Sequence, residues 1–330
     1  MTDLSPLVEA QLAEVDHCRW SDPQHSLRLA RAAYATTDQS SPLHAARAIT
    51  LCAALNTLGQ FGEVLNLLET INPPADWAAR YHSERVIACT YRGQLAVAQA
   101  ALTQARAAQD GPLSQGWVDR AEGILRREQT QLQAACEALQ RAVETFTALD
   151  RPGDTLATRF DLAVTLIRLD PALARAEHAR LCTAAVVSQS THAQACCAFV
   201  LGAIEEQVNQ YASSVDLFRA ARQNFSAVEA DFWVSLCDLN LGIDYERLNR
   251  YEAALAAHQQ AEAALTAQRL PGYATLCKFN AANCLLALNR YTAALDVYQR
   301  VTEAALADGR ALRGANSQHN TAVFHDRLGH

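Results

Sequence analysis

The chain has 330 residues and a net charge of −7; half of its residues are hydrophobic and 7% are aromatic. Only 13 glycines and 9 prolines punctuate it, which excludes collagen-like, disordered and strand-rich classes. Its 28 basic and 35 acidic residues are spread evenly, so neither half carries the basic field that a nucleic-acid backbone requires, and no nucleic-acid partner is expected.

From the start, Met1 to Asp16 carry acids and no basic residue, without the positive start and apolar run of a secretory signal. The longest near-continuous apolar stretch, Ala195–Ile204, is far short of the roughly 20 residues of a membrane span. A cytoplasmic protein with no membrane partner is the expectation. Gly59 and Gly93 fit the left-handed slot that ends a helix, and Gly329 fits it again near the far end. Cys197, Cys237 and Cys277 are spaced forty residues apart. A disulfide framework has no reason to copy one position per repeat, whereas a small packed slot does, so reduced core cysteines are expected.

The same forty-residue period aligns Asn209-Gln210-Tyr211, Asn249-Arg250-Tyr251 and Asn289-Arg290-Tyr291. Apolar residues recur at three and four on both sides of each Asn-x-Tyr, which predicts two amphipathic helices joined at a left-handed asparagine. Gly202 and Gly242, one turn earlier, let the paired helices approach closely. Pro271-Gly272 stands where one unit hands over to the next. A further first helix is predicted over 312–328, and its second helix is missing. Truncation of a longer protein is the favoured explanation, with self-association through the 311–330 helix as the competitor.

The residues Leu241-Gly242-x-x-Tyr245, then Tyr211, Tyr251 and Tyr291 after the turns, then Ala254 and Ala294, resemble the tetratricopeptide repeat (TPR) family. The resemblance extends upstream through Phe61, Leu95 and Leu132 and through the turns Asp22-Pro23 and Asp170-Pro171. It implies an all-α, right-handed α-solenoid of about eight TPR-like helical hairpins, degenerate over 1–190 and regular over 191–330. The phrasing is also similar to repeat arrays in bacterial multidomain proteins that precede CHAT protease domains or accompany LuxR/MalT-type regulators.

In that family the first helix of each hairpin lines the concave surface. On the resemblance, the partner-binding residues are Phe199 and Glu206, then Leu239, Asn240, Glu246 and Arg247, then Phe279 and Asn280, and finally Asn320, Asp326 and Arg327. Asn240, Asn280 and Asn320 repeat at forty and are similar to the asparagine ladder of O-linked N-acetylglucosamine transferases. Such side chains both donate to and accept from a peptide backbone, while Phe199, Leu239 and Phe279 could seat apolar side chains. The alternative is that each asparagine hydrogen-bonds the adjacent helix and the aromatics are core. Lys278 is the only lysine, which disfavours the two-carboxylate clamp of chaperone-tail binders.

No phosphate loop, zincin helix, nucleophile elbow or dinucleotide fingerprint is present, so no enzyme, cofactor or metal is expected. One constellation stands apart: His178 and Cys182, four apart, mirror His192 and Cys196, and a turn near residue 187 would gather a Cys₂His₂ set. The resulting expectation is a protein-interaction scaffold for a peptide or partner domain, or else the regulatory arm of a larger effector.

Overall fold

The computed structural model describes residues 6–41, 43–183 and 189–307. They form sixteen helices in eight hairpins. The first four hairpins are α1 (Pro6–Cys18) with α2 (Pro23–Ala35), α3 (Leu43–Leu58) with α4 (Phe61–Leu68), α5 (Ala75–Tyr91) with α6 (Leu95–Ala107), and α7 (Pro112–Glu128) with α8 (Leu132–Ala148). The last four are α9 (Pro152–Ile167) with α10 (Pro171–Thr183), α11 (Thr191–Gln207) with α12 (Tyr211–Ala227), α13 (Asp231–Arg247) with α14 (Tyr251–Ala267), and α15 (Pro271–Ala287) with α16 (Tyr291–Ala307). First helices pack on first helices in file, α3 on α5 and so on to α15, while each second helix packs on the first helix of the next hairpin. The result is an all-α, right-handed solenoid. The 312–328 helix expected from the sequence lies outside the described residues.

The turns explain the repeat. Asn209, Asn249 and Asn289 have φ of 64°, 58° and 60°, and Gly59 and Gly93 have φ of 78° and 76°. At each, two backbone N–H groups fold back on the helix just ended. Asn249 N donates to Glu246 O at 3.0 Å and Arg250 N to Tyr245 O at 2.8 Å, the paired bonds of a Schellman cap. The tyrosine two residues on completes the motif, since Tyr251 Oη donates to Asn249 Oδ1 at 2.7 Å. Asn-x-Tyr is thus a cap and its brace.

The handovers between hairpins use the same cap, with residues that advertise it less. Asp150, Glu229 and Arg269 have φ of 52°, 52° and 57°. A left-handed residue other than glycine or asparagine costs about 1–2 kcal/mol, part of which glycine returns as unfolded-state entropy. Glu229→Gly and Arg269→Gly are therefore expected to raise stability by about 0.5–1 kcal/mol each. Urea unfolding midpoints check this, and a loss on either substitution contradicts it.

Packing follows the small residues. At Gly242 an added Cβ would lie 2.4 Å from the His258 ring, so α13 and α14 sit at a distance that only glycine allows. All ten cysteines are free thiols; Cys237 and Cys277 are fully buried and Cys197 is 8% exposed.

The solenoid also closes on itself, which nearest-neighbour stacking does not require. Helix α1 packs on α9, and α3 meets α13. Trp233 Nε1 donates to Thr57 O at 3.1 Å and Gln24 Nε2 to Val228 O at 2.9 Å, contacts that span 176 and 204 residues of chain. One continuous core therefore runs from Val15 to Cys277.

Candidate functional site

The inner wall has two parts of opposite character. Over hairpins one to five, together with the first turns of α11 and α13, it is sealed. Phe61 stacks on Tyr91 at 4.6 Å, and Phe232 meets both rings edge-on at 5.1 and 5.4 Å. Trp20 enters from the end of α1, its ring 4.8 Å from His192 and 5.6 Å from Phe160. What remains on the axis is a cavity of about 20 Å³ among Trp20, Asn56, Arg120, Asp161, His192 and Trp233, room for one water.

Around this plug lies a buried ionic network. Arg80 clasps Asp16 with both guanidinium arms, one of them at 2.9 Å, while Arg151 reaches Asp16 at 2.8 Å and Arg19 pairs with Asp154. Burial pushes the Asp16 carboxyl up, but the attraction of Arg80, Arg19 and Arg151 outweighs it and holds the group at about 2. The Arg80 guanidinium also lies over the Trp117 ring at 4.8 Å. Gly153 makes the approach possible, because a Cβ there would sit 2.3 Å from Asp16 O. Burial holds His192 down at about 4, so its imidazole is neutral, and its Nδ1 is 3.2 Å from Trp20 O.

Over α11, α13 and α15 the wall is open in part. Asn240, Asn280, Glu206, Glu246 and Phe279 are half-buried and Arg247 is exposed. Asn240 and Asn280 hold equivalent positions on adjacent first helices, and Asn240 Nδ2 donates within its own helix, to Leu236 O at 2.9 Å. Glu246 is engaged as well: His258 Nε2 lies 2.8 Å, and the Cys284 thiol 3.2 Å, from its Oε1. Phe279 packs edge-on against Tyr298 at 5.7 Å. Two expected contacts are corrected. Phe199 and Leu239 are each 5% exposed, and Phe199 is walled in by Phe160, Phe218, Phe225 and Trp233, so both belong to the core rather than to a ligand-facing row. The physical reason is the stacking itself: Phe160 of α9 and Trp233 of α13, the first helices on either side of α11, and Phe218 and Phe225 of α12 enclose Phe199. Asn320, Asp326, Arg327 and the 311–330 helix lie outside the described residues.

Beside this wall sit two carboxyls with displaced proton affinities. Burial raises Asp244 to about 6, and neither of its oxygens has a hydrogen-bond partner; the Ser214 hydroxyl that eases the shift is committed to Gly202 O at 2.9 Å. Burial and then the Asp244 charge raise Glu206 to about 7, against the pull of Arg247.

The Cys₂His₂ set that the mirrored spacing allowed is not assembled. His192 and Cys196 turn toward Trp20, 3.9 Å apart, whereas His178 and Cys182 gather with Cys197. The Cys182 thiol is drawn down to about 5 by a hydrogen bond from Cys197, with burial opposing and His178 assisting. Lys278 pairs with Glu262 at 3.6 Å.

The signals missed in the sequence were Trp20, Trp233 and the charges Asp16, Arg80 and Asp154. Arg80 and Glu84, four apart in an otherwise buried helix, were the legible hint.

No family model and no curated protein matches the chain. Solved structures do. A Rap protein complexed with Competence and Sporulation Factor is similar over 99% of both chains, with a TM-score of 0.64 and 12% identity. NprR in complex with its cognate peptide NprX is similar over 77% of this chain and 76% of its own, with a TM-score of 0.56 and 12% identity. A STAND protein with a tetratricopeptide repeat sensor from Pyrococcus horikoshii matches 93% of this chain over 50% of its own length, with a TM-score of 0.50 and 13% identity. These likenesses establish the tetratricopeptide-like solenoid fold. Among the described residues no helix is long and apolar enough to cross a membrane.

Proposed function

We propose that the chain is a binding scaffold that takes up a peptide or an extended partner segment along the part of the inner wall formed by α11, α13 and α15. The observation that carries the reading is the contrast within that wall. Trp20, with Phe232 and Trp233 from the first turn of α13, fills the interior of hairpins one to five, while Glu206, Asn240, Arg247 and Asn280 stay accessible on consecutive first helices. Half-buried amides beside carboxylates suit main-chain hydrogen bonding with a few charged side-chain contacts. The solved complexes of a Rap protein with Competence and Sporulation Factor and of NprR with its cognate peptide NprX support the same use of the fold.

The test is a peptide-display selection on the full chain, followed by titration of the selected peptide against an Asn240→Ala, Asn280→Ala, Asn320→Ala triple variant. Loss of about 1–3 kcal/mol, or 5- to 150-fold in affinity, is expected if two or three amide contacts go. Unchanged affinity in a folded triple variant removes the amide ladder from the proposal.

A second reading, the sensory arm of a larger effector, draws on the likeness to the repeat sensor of a STAND protein. The long-range α1–α9 and α3–α13 contacts give such an arm a closure to release. Limited proteolysis of the α1–α2 hairpin, faster with the selected peptide than without it, would support that reading; equal rates would count against it.

A further inference from the structure

The mirror arrangement of His178/Cys182 and His192/Cys196 resolves into one real cluster and one decoy. His178 Nε2, Cys182 Sγ and Cys197 Sγ all lie within 4.8 Å of one another, the first two from one face of α10 and the third from α11. Cys182 Sγ is 3.3 Å from His178 Nε2. Zinc–sulfur bonds of about 2.3 Å and zinc–nitrogen bonds of about 2.0–2.1 Å set ligand-to-ligand edges of about 3.6–3.8 Å in a tetrahedron. The three atoms are therefore already near the spacing of one tetrahedral face, and small rotations of the side chains complete it.

We infer that His178, Cys182 and Cys197 form a binding site for one soft divalent cation, with zinc as the fitting ion, that clips α10 to α11 and leaves the fourth coordination position open. Two thiolates neutralise a dication, so the site carries no net charge into its half-buried setting. Both sulfurs ligate as thiolates, so any thiol proton still held leaves to solvent on binding. His178 Nε2 now stands 3.1 Å from Cys197 O; ligation needs its lone pair, so the imidazole proton resides on Nδ1 in the metal-bound form. His178 and Cys182 are half-buried, which gives an ion a route in, and Cys197 is 8% exposed.

The molecule contains its own contrast. Glu246, His258 and Cys284 make a second cluster with equally close donor atoms. There His258 is fully buried with its ring filling the notch at Gly242, and Glu246 already satisfies both neighbours. In that cluster the Glu246 oxygen is already shared by two neighbours, although His258 Nδ1 has no hydrogen-bond partner. The α10–α11 cluster has two sulfurs and one imidazole nitrogen and no carboxylate partner among them, the donor set that soft metals select.

The test uses the full chain, stripped with chelator and kept under a non-thiol reductant, titrated with zinc alone against a chromophoric chelator. One equivalent is expected to bind, and cobalt in its place should give the visible absorption of a tetrahedral thiolate site. Cys182→Ser and Cys197→Ser should each weaken zinc by more than about 100-fold, beyond the 10- to 100-fold loss of an outer-shell partner. Cys196→Ser and Cys284→Ser should leave affinity unchanged. His178→Ala supplies a variant that removes a ligand without touching a thiol, should a cysteine substitution disturb the helices. No tight equivalent in the wild-type chain overturns the inference. So does zinc binding that survives Cys182→Ser and His178→Ala, or that disappears with Cys284→Ser.

Discussion

Arg80→Ala is expected to cost about 3–5 kcal/mol of stability in urea unfolding at neutral pH, the range for removing one partner of a buried ion pair. Arg80 is 2% exposed and holds Asp16 with two hydrogen bonds, with Glu84 3.9 Å from its Nε. Without it two carboxylates lose their main counter-charge inside the solenoid; Arg151 and Arg19 compensate only for Asp16. The pH dependence gives the effect a signature. Asp16 is held at about 2 in the folded chain, well below its unfolded value of about 3.9, so its contribution is full above pH 4 and fades as pH falls toward 2. Wild type should therefore lose stability over that window, and the gap to Arg80→Ala should narrow there, because the variant has already given up the charged Asp16 interaction. Asp16→Asn combined with Arg80→Ala should cost less than the two changes summed. A gap that is constant from pH 7 to pH 3 would mean that Arg80 acts through its stacking on Trp117 and not through charge.

The hairpin architecture was legible because its determinants are local. A left-handed residue, a brace two positions on and a glycine one turn before are all within a dozen residues, and the turns at Asp22-Pro23, Phe61, Leu95, Leu132 and Asp170-Pro171 each open a helix of the solenoid. The handovers at Asp150, Glu229 and Arg269 were silent because acidic and basic residues carry no left-handed signature, even though the cap is the same. The closure was silent for a different reason. Trp20 meets His192, Thr57 meets Trp233 and Asp16 meets Arg151 across more than 130 residues, through superhelical curvature that no repeat unit encodes alone. Phe199 and Leu239, correctly placed on first helices, were assigned to an open wall for a third reason: spacing does not separate the face that meets neighbouring helices from the face beside it, and Phe199 turns toward α9, α12 and α13. The mirrored His/Cys spacing pointed to the wrong partners for His178 and Cys182: Cys196 and Cys197 are adjacent, a helix separates their directions by about 100°, and spacing alone does not say which of them faces α10.

Asp244→Asn should be more stable than wild type at pH 8 and should gain that advantage between pH 4 and pH 7. Asp244 is fully buried, and neither oxygen has a hydrogen-bond partner. Its raised value of about 6 means that the folded chain keeps a proton which the unfolded chain, titrating near 3.9, has released. Where the native state binds more protons, stability falls as pH rises, so the decline runs from about pH 4 to pH 6 and then levels. A displacement of about two pH units corresponds to roughly 3 kcal/mol. Asparagine carries no charge to bury and removes that slope. Glu206, up at about 7, shares the effect because part of its displacement comes from Asp244. Glu206→Gln should then give a second, smaller flattening, and the double variant should fall short of the sum. The same coupling reaches the proposed binding wall. A peptide that places a cation beside Glu206 draws its proton off and should bind more tightly as pH rises through 7, a gain that Glu206→Gln abolishes. Urea titrations at pH 4.5, 6 and 8 decide the first part: an Asp244→Asn advantage that does not grow with pH would show that the buried carboxyl is compensated in the folded chain.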